Sequence, residues 1–192
     1  LINYAGATVS WLKDNLQIIN NAKETNTIFR EVLNSNGVFV IPAFVGLSSP
    51  HWVPDSKAMI YGLTPSVSKK HIIRASLESI AFQIKDYLDD LDKKKKIKYN
   101  DIFIDGGLTN NRLFIQFLAN ILQRKIYITN FADMSSYGAL IMGLLGMKIC
   151  SNLKDIKKFK QKYTLFKPIK INNDVDKFYQ WKNVLYKYYL DK

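Results

Sequence analysis

A single cysteine, Cys150, among 192 residues leaves no partner for an internal disulfide and no basis for a cysteine-built metal site. The expected compartment is therefore reducing and cytoplasmic, and Cys150 reads as a small buried thiol beside the apolar stretch 144–149. Histidine is almost as scarce. His51 and His71 have no cysteine or acidic cluster at ligand spacing, which argues against zinc. No apolar run approaches the roughly 18 residues of a membrane helix, and the first residues lack the basic and apolar regions of a secretory signal. Neither a membrane partner nor an export route is expected. With only five prolines and nine glycines against 47 % hydrophobic residues, the composition is that of a folded chain. Its length suits one domain, read over residues 1–192.

Arginine is the remaining shortage: 24 of the 28 basic residues are lysine. The net charge of +12 raises the question of nucleic acid, but readout of bases and phosphates favours arginine's bidentate geometry. Acidic and basic residues nearly balance over 1–92, so the excess lies in the second half. It reads as a solvated lysine surface, and no nucleic-acid partner is expected; a basic scaffold is the weakest of the alternatives.

Hydrophobic spacing predicts helices over 9–19 and 25–33, the second closed by Asn34-Ser35-Asn36-Gly37. Dense β-forming runs follow at 38–41 and 59–61. The intervening loop is long, and such loops usually have a job. It either packs on the surface, anchored by Phe44 and Trp52, or lines an active-site cleft or an interdomain face. A helix over 68–92 carries Ile73, Leu77, Ile80 and Ile84 on one stripe, with Lys93 to Lys96 at the favourable pole of its dipole. Next come a strand at 102–104, a helix over 110–122, a strand at 126–128 and a helix over 137–147 whose small residues, Gly138, Ala139, Gly143 and Gly146, allow close packing. This alternation is α/β architecture with a crossover between parallel strands. A lysine-rich helix over 153–163 and an aromatic amphipathic helix over 175–190 complete the chain.

The sharpest local feature is Asp105-Gly106-Gly107 at a strand end. A glycine pair there permits a tight turn and lets a ligand approach the backbone, while the following helix offers N–H groups to an anion. Asn111 adds a donor and an acceptor one turn on. By itself the pair is equally an ordinary turn, and Asp105 is open to a metal, a ribose or its own turn. Gly6 and Ser10 lie four residues apart on one helix face, where Gly6 could admit a flat ring and Ser10 hydrogen-bond it; ordinary helix-start residues would look the same. Glu78, amid the apolar stripe, reads as a capping, network or solvated residue rather than a catalytic base, and no nucleophile elbow supports hydrolase chemistry.

Four ordered stretches carry a resemblance. Val38 to Leu47, continuing through Pro50-His51-Trp52-Val53-Pro54, resembles an apolar strand followed by PAF and GLGAPYWDP. Ala58 to Leu63 with His71-Ile72 and Ala75-Ser76-Leu77-Glu78 resembles a second signature, Asp105 to Asn111 an adenine-nucleotide motif, and Tyr137-Gly138-Ala139 with Gly143 the glycine-rich helix after it. Together they resemble the carbohydrate-kinase family of glycerol, xylulose, gluconate and fucose kinases, and most of all its glycerol-phosphorylating members.

The resemblance implies an actin-like ATPase (ribonuclease H-like) fold. It implies that the chain is the C-terminal half of a two-domain kinase, its first strands lying upstream, and that ATP and Mg²⁺ serve transfer of a phosphoryl group to glycerol. By position it places Gly6, Val9, Ser10, Gly107 and Asn111 at the nucleotide. The acceptor site, the phosphate loop and the general base would lie in the N-terminal domain of the same kinase, so no catalytic residue and no metal ligand is assigned here and the segment alone is expected to be inactive. A homo-oligomer stays open. The alternatives are a kinase for another small polyol or sugar such as xylulose, and a non-catalytic actin-like interaction module. One departure is plain: the family's second glycine and its aspartate are replaced in Gly46-Leu47-Ser48-Ser49-Pro50-His51-Trp52-Val53-Pro54, and an ARG becomes Ser56-Lys57-Ala58.

Overall fold

The computed structural model describes residues 4–96, 99–129, 133–155, 162–169 and 172–191. Its centre is a helix. The run Ile73 to Phe82 is buried without interruption, so the helix containing it, α3 (Lys69–Lys95), is enclosed on all sides where a single apolar stripe was expected. The polar residues of this stretch tolerate enclosure because each makes at least one hydrogen bond, although Glu78 Oε2 has none among the described residues: Arg74 Nε donates to Glu78 Oε1 at 2.7 Å, Ser76 Oγ to the Ile72 carbonyl and Ser79 Oγ to the Ser76 carbonyl. The Arg74 guanidinium also lies 3.4 Å over the Phe29 ring. Of the readings expected for Glu78, the network one holds and the solvated one does not. His71 serves the same helix, its Nδ1 accepting from the Ser68 N–H at 3.0 Å at the N-terminus.

Around α3 pack α1 (Gly6–Asp14), α2 (Glu24–Glu31), α4 (Arg112–Leu122) and α6 (Asn172–Leu185). Helix α1 stops five residues short of the expected end. Gln17 is left-handed (φ 54°) and Leu16 is exposed, while Ile19 is buried from outside the helix, so its apolar spacing mimicked another helical turn. Strands β1 (Phe39–Ile41) and β2 (Met59–Tyr61) pair antiparallel, Val40 opposite Ile60. The Trp181 indole of α6 donates to the Val40 carbonyl at 2.9 Å and packs against Phe82 and Phe178.

The second sheet has the order β3–β4–β5. Strand β3 (Asp101–Ile104) runs parallel to β4 (Lys125–Thr129) with α4 as the crossover, the expected α/β unit. Strand β5 (Tyr163–Phe166) pairs antiparallel with β4. It corrects the lysine-rich helix expected to reach Tyr163; the middle of that stretch, 156–161, lies outside the described residues. The β-forming residue types of Tyr-Thr-Leu-Phe were the strand signal, masked by the lysines before them. Helix α5 (Met134–Gly146) forms, but no residue of it is buried and an added Cβ at Gly138, Gly143 or Gly146 would meet nothing within 4 Å. The close packing expected of its glycines is not made by the described residues. Cys150 is a buried free thiol, as expected. No described helix is long and apolar enough to cross a membrane.

Candidate functional site

Three segments far apart in sequence enclose a cavity of about 370 Å³: the start of α1, the first turn of α2, and the turn after β3. That volume falls in the roughly 300–1,000 Å³ range of small-ligand sites. Gly6, Val9, Ser10, Gly107 and Asn111, expected together at one ligand, all line it.

The turn after β3 is built in two steps. Gly106 has φ +94°, which demands glycine, and its carbonyl accepts from both the backbone N–H and the hydroxyl of Thr109. A single turn of 3₁₀ helix, Gly107–Asn110, then leads into α4. Asn111 caps α4: its Oδ1 accepts from the Phe114 N–H at 3.0 Å, and its Nδ2 reaches Thr25 Oγ1 of α2 at 3.4 Å. The residue is buried, so it joins two walls of the cavity, and it already occupies one of the helix N–H groups expected to face an anion.

Gly107 and Gly6 differ from Gly106 in a telling way. Neither has a positive φ, and an added Cβ at either would meet no protein atom within 4 Å. The fold asks for glycine at neither position, whereas an occupant of the cavity lying flat against the backbone would. Sequence reasoning missed the third wall, Ala22, Lys23, Thr25 and Asn26, because nothing local signals it. The Asn111–Thr25 contact spans 86 residues.

Asp105 does not face this cavity. Its Oδ2 accepts from the Met134 N–H at 3.3 Å, tying the end of β3 to the start of α5. It lines a separate hollow of about 270 Å³ with Phe103, Tyr127 and Tyr163. Among the described residues no three histidine, cysteine, aspartate or glutamate side chains gather as a metal cage.

The loop 42–58 builds a different kind of centre. His51, which follows a cis Ser49–Pro50 peptide and precedes the left-handed Trp52, lies with its Nε2 2.5 Å from Asp86 Oδ2. Lys182 Nζ of α6 reaches the other oxygen at 2.6 Å. Burial alone would raise the Asp86 pKa, but the hydrogen bonds from His51 and Lys182 outweigh it and hold the carboxyl below its ordinary range. Lys182 is moved in the complementary sense: desolvation works against its charge, and the Asp86 hydrogen bond together with the charges of Asp86, Tyr186 and Asp89 more than restores it, raising its pKa. Phe44 anchors the loop against Tyr4 and Trp11, while Trp52 is 70 % exposed and anchors nothing. The loop lines a narrow cleft beside Asp86 and contributes nothing to the larger cavity.

Residues 1–147 match the FGGY family of carbohydrate kinases, C-terminal domain. The chain is 38 % identical over 165 residues to glycerol kinase 1 of Thermotoga maritima, covering 84 % of this chain and 34 % of that protein. It is 40 % identical over 162 residues to glycerol kinase of Fusobacterium nucleatum subsp. nucleatum, covering 84 % and 32 %. The chain spans about a third of the length of these curated relatives. Its structure superposes on that of Plasmodium falciparum glycerol kinase with ADP with a TM-score of 0.82 at 32 % identity, over 96 % of this chain and 37 % of that one. Xylulose kinase from Lactobacillus acidophilus shares the fold at a TM-score of 0.79 and 20 % identity, over 98 % and 39 %.

Proposed function

The chain belongs to the FGGY family of carbohydrate kinases, as the C-terminal half of the two-domain actin-like fold, and on that premise we propose that it is the nucleotide side of a cytoplasmic glycerol kinase. The reaction is transfer of the γ-phosphoryl group of ATP to a primary hydroxyl of glycerol, giving glycerol 3-phosphate and ADP. The single observation carrying this reading is the convergence of Gly6, Val9, Ser10, Gly107 and Asn111 on one cavity, where neither φ nor a neighbouring protein atom requires glycine at Gly6 or Gly107. Glycerol as the acceptor is favoured by relatives at 38 % and 40 % identity that carry that name. Xylulose and gluconate kinases share the fold at about 20 % identity, which says nothing of the acceptor.

In this reading the chain positions the nucleotide. Backbone at Gly6 and Gly107 bounds the ring system, while Ser10 and Asn110 supply polar groups at exposed positions on the lining. Mg²⁺ would offset charge on the transferring oxygens. The described residues offer it no cage, so its ligands are assigned to the phosphates and to the partner domain.

That partner is the remainder of the same kinase, and this chain has a surface suited to it. Among the described residues strand β3 is paired on one side only, and the outer face of the sheet exposes Phe103 stacked on Tyr127 at 4.9 Å, with Tyr163 edge-on at 5.3 Å. Contiguous aromatic area of this kind normally finds cover. The deciding experiment is glycerol-dependent ADP formation by the intact enzyme and by residues 1–192 alone, with xylulose as the competing acceptor. Turnover on glycerol by the intact enzyme and none by the fragment is expected. Preference for xylulose would overturn the acceptor, and turnover by the fragment would overturn the division of labour.

A further inference from the structure

The cavity is chiefly apolar, with Val9, Ala22, Leu108 and the two open glycines forming much of its surface, and among the described residues Lys23 is the one charged residue lining it. A polyphosphate requires several cations or donors. The enclosed space therefore suits an uncharged ring system, with the phosphates outside it.

The polar groups of the walls are unequally engaged. Thr25 Oγ1 donates to the Ala22 carbonyl at 2.7 Å and is approached by Asn111 Nδ2; Asn111 Oδ1 is held by the Phe114 N–H. Asn26, in the first turn of α2, is different. It lies half-buried on the wall, and its Oδ1 is shut off from solvent with no hydrogen-bond partner. An enclosed amide oxygen without a donor is unfavourable. The terminal torsion of asparagine is broad, so the carboxamide turns toward a donor in the cavity at little cost.

We propose that Asn26 reads the base: its Oδ1 accepts from the exocyclic amino group of adenine while its Nδ2 donates to the neighbouring ring nitrogen. This rests on the nucleotide reading of the cavity. A carboxamide matches an edge that presents a donor beside an acceptor, as adenine's N6 and N7 do. Guanine presents two acceptors on the corresponding edge, so Oδ1 would face O6 with no proton between them. Asn26 is on this account the residue that selects adenine over guanine nucleotides.

The test is calorimetric titration of the intact protein with ADP and GDP, comparing wild type, Asn26→Ala, Asn26→Asp and Gly107→Leu. Wild type binds ADP at least tenfold more tightly than GDP. Asn26→Ala weakens ADP by roughly tenfold and leaves GDP nearly unchanged, the loss expected for one good base-edge pair. Asn26→Asp keeps the acceptor and loses the donor, and falls between the two. Unchanged GDP affinity in Asn26→Ala also reports that the cavity has kept its shape. If Asn26→Ala retains the wild-type ratio of ADP to GDP affinity while Gly107→Leu loses ADP, the role of Asn26 is wrong and the cavity reading stands. Should Gly107→Leu also bind ADP as wild type does, both are wrong.

Discussion

The two halves of this molecule are finished to different degrees. Around α3, the helices α1, α2, α4 and α6 and the strand β1 enclose Leu12, Ile41, Leu77, Phe82, Phe114 and Trp181 almost completely. On the other side, the outer face of β3–β4–β5 leaves Phe103 61 % exposed, and α5 buries none of its residues. Both regions are rich in apolar side chains, so composition does not separate them. What separates them is how far those side chains are covered within this chain. The first region is a core; the second, on the proposed reading, is a face for the remainder of the kinase, in a chain that spans about a third of its relatives.

Truncating one aromatic residue in each region is the strongest test of that contrast. Phe82→Ala removes a fully buried ring at the junction of α3, α4 and α6 and is expected to cost about 3–5 kcal/mol, read from urea unfolding. Phe103→Ala in the same 192-residue chain is expected to change stability by less than about 1 kcal/mol, since the ring is mostly in water already. In the intact enzyme the Phe103 variant should lose distinctly more. Equal losses in fragment and intact protein would show that nothing covers the sheet.

Most of this architecture was legible, and the parts that were not share a cause. Strands β1, β2, β3 and β4 and the starts of α2 and α3 followed from local pattern and turn chemistry. Helix α1 was overextended because Ile19 is buried at helical spacing without being helical. The depth of α3 was underestimated because Arg74, Glu78 and Asp86 look solvent-facing in sequence and become core residues only through partners at Phe29, His51 and Lys182. The site followed the same rule. Gly107 and Asn111 stood out at a strand end, Gly6 and Ser10 showed only a shared helix face open to two readings, and Val9 came from the resemblance; Lys23 and Asn26 carry no local mark, since they become walls only when α2 docks against the turn after β3.

Two glycines sharpen the difference between what the fold needs and what a ligand needs. Gly46, in the loop 42–58, has φ +83°, and a Cβ there would sit 2.3 Å from the Pro54 carbonyl oxygen. Gly46→Ala should therefore destabilise the chain by about 1–3 kcal/mol, the range for a strained backbone position, with ADP affinity little changed. Gly107→Leu should do the reverse: a melting temperature close to wild type and an ADP affinity reduced at least tenfold, about 1.4 kcal/mol. Loss of melting temperature in Gly107→Leu would place that glycine with the fold rather than with the nucleotide.

The smallest effects concern acid, and they again divide by region. Asp86 is buried in the core, and the hydrogen bonds of His51 and Lys182 hold its pKa below the ordinary value in spite of desolvation. Asp133 caps α5 at the surface, where the Ser136 hydroxyl and then the Ser136 and Ser135 N–H groups lower its pKa. For a carboxyl depressed in the folded state, the stabilisation is fully present above the unfolded value, about 3.9, and is lost as pH falls through the folded value. Stability should thus fall in acid below about pH 4, and both residues contribute with the same sign. Their weights differ, because water screens the surface cap and scarcely reaches the buried triad. Urea midpoints measured from pH 5 to pH 2.5 should show a flatter acid limb in Asp86→Asn than in wild type, with Asp133→Asn nearly superimposable on wild type. The opposite ranking would mean that the His51–Asp86–Lys182 centre opens before the helix cap does, and that the core is looser at the loop 42–58 than its burial indicates.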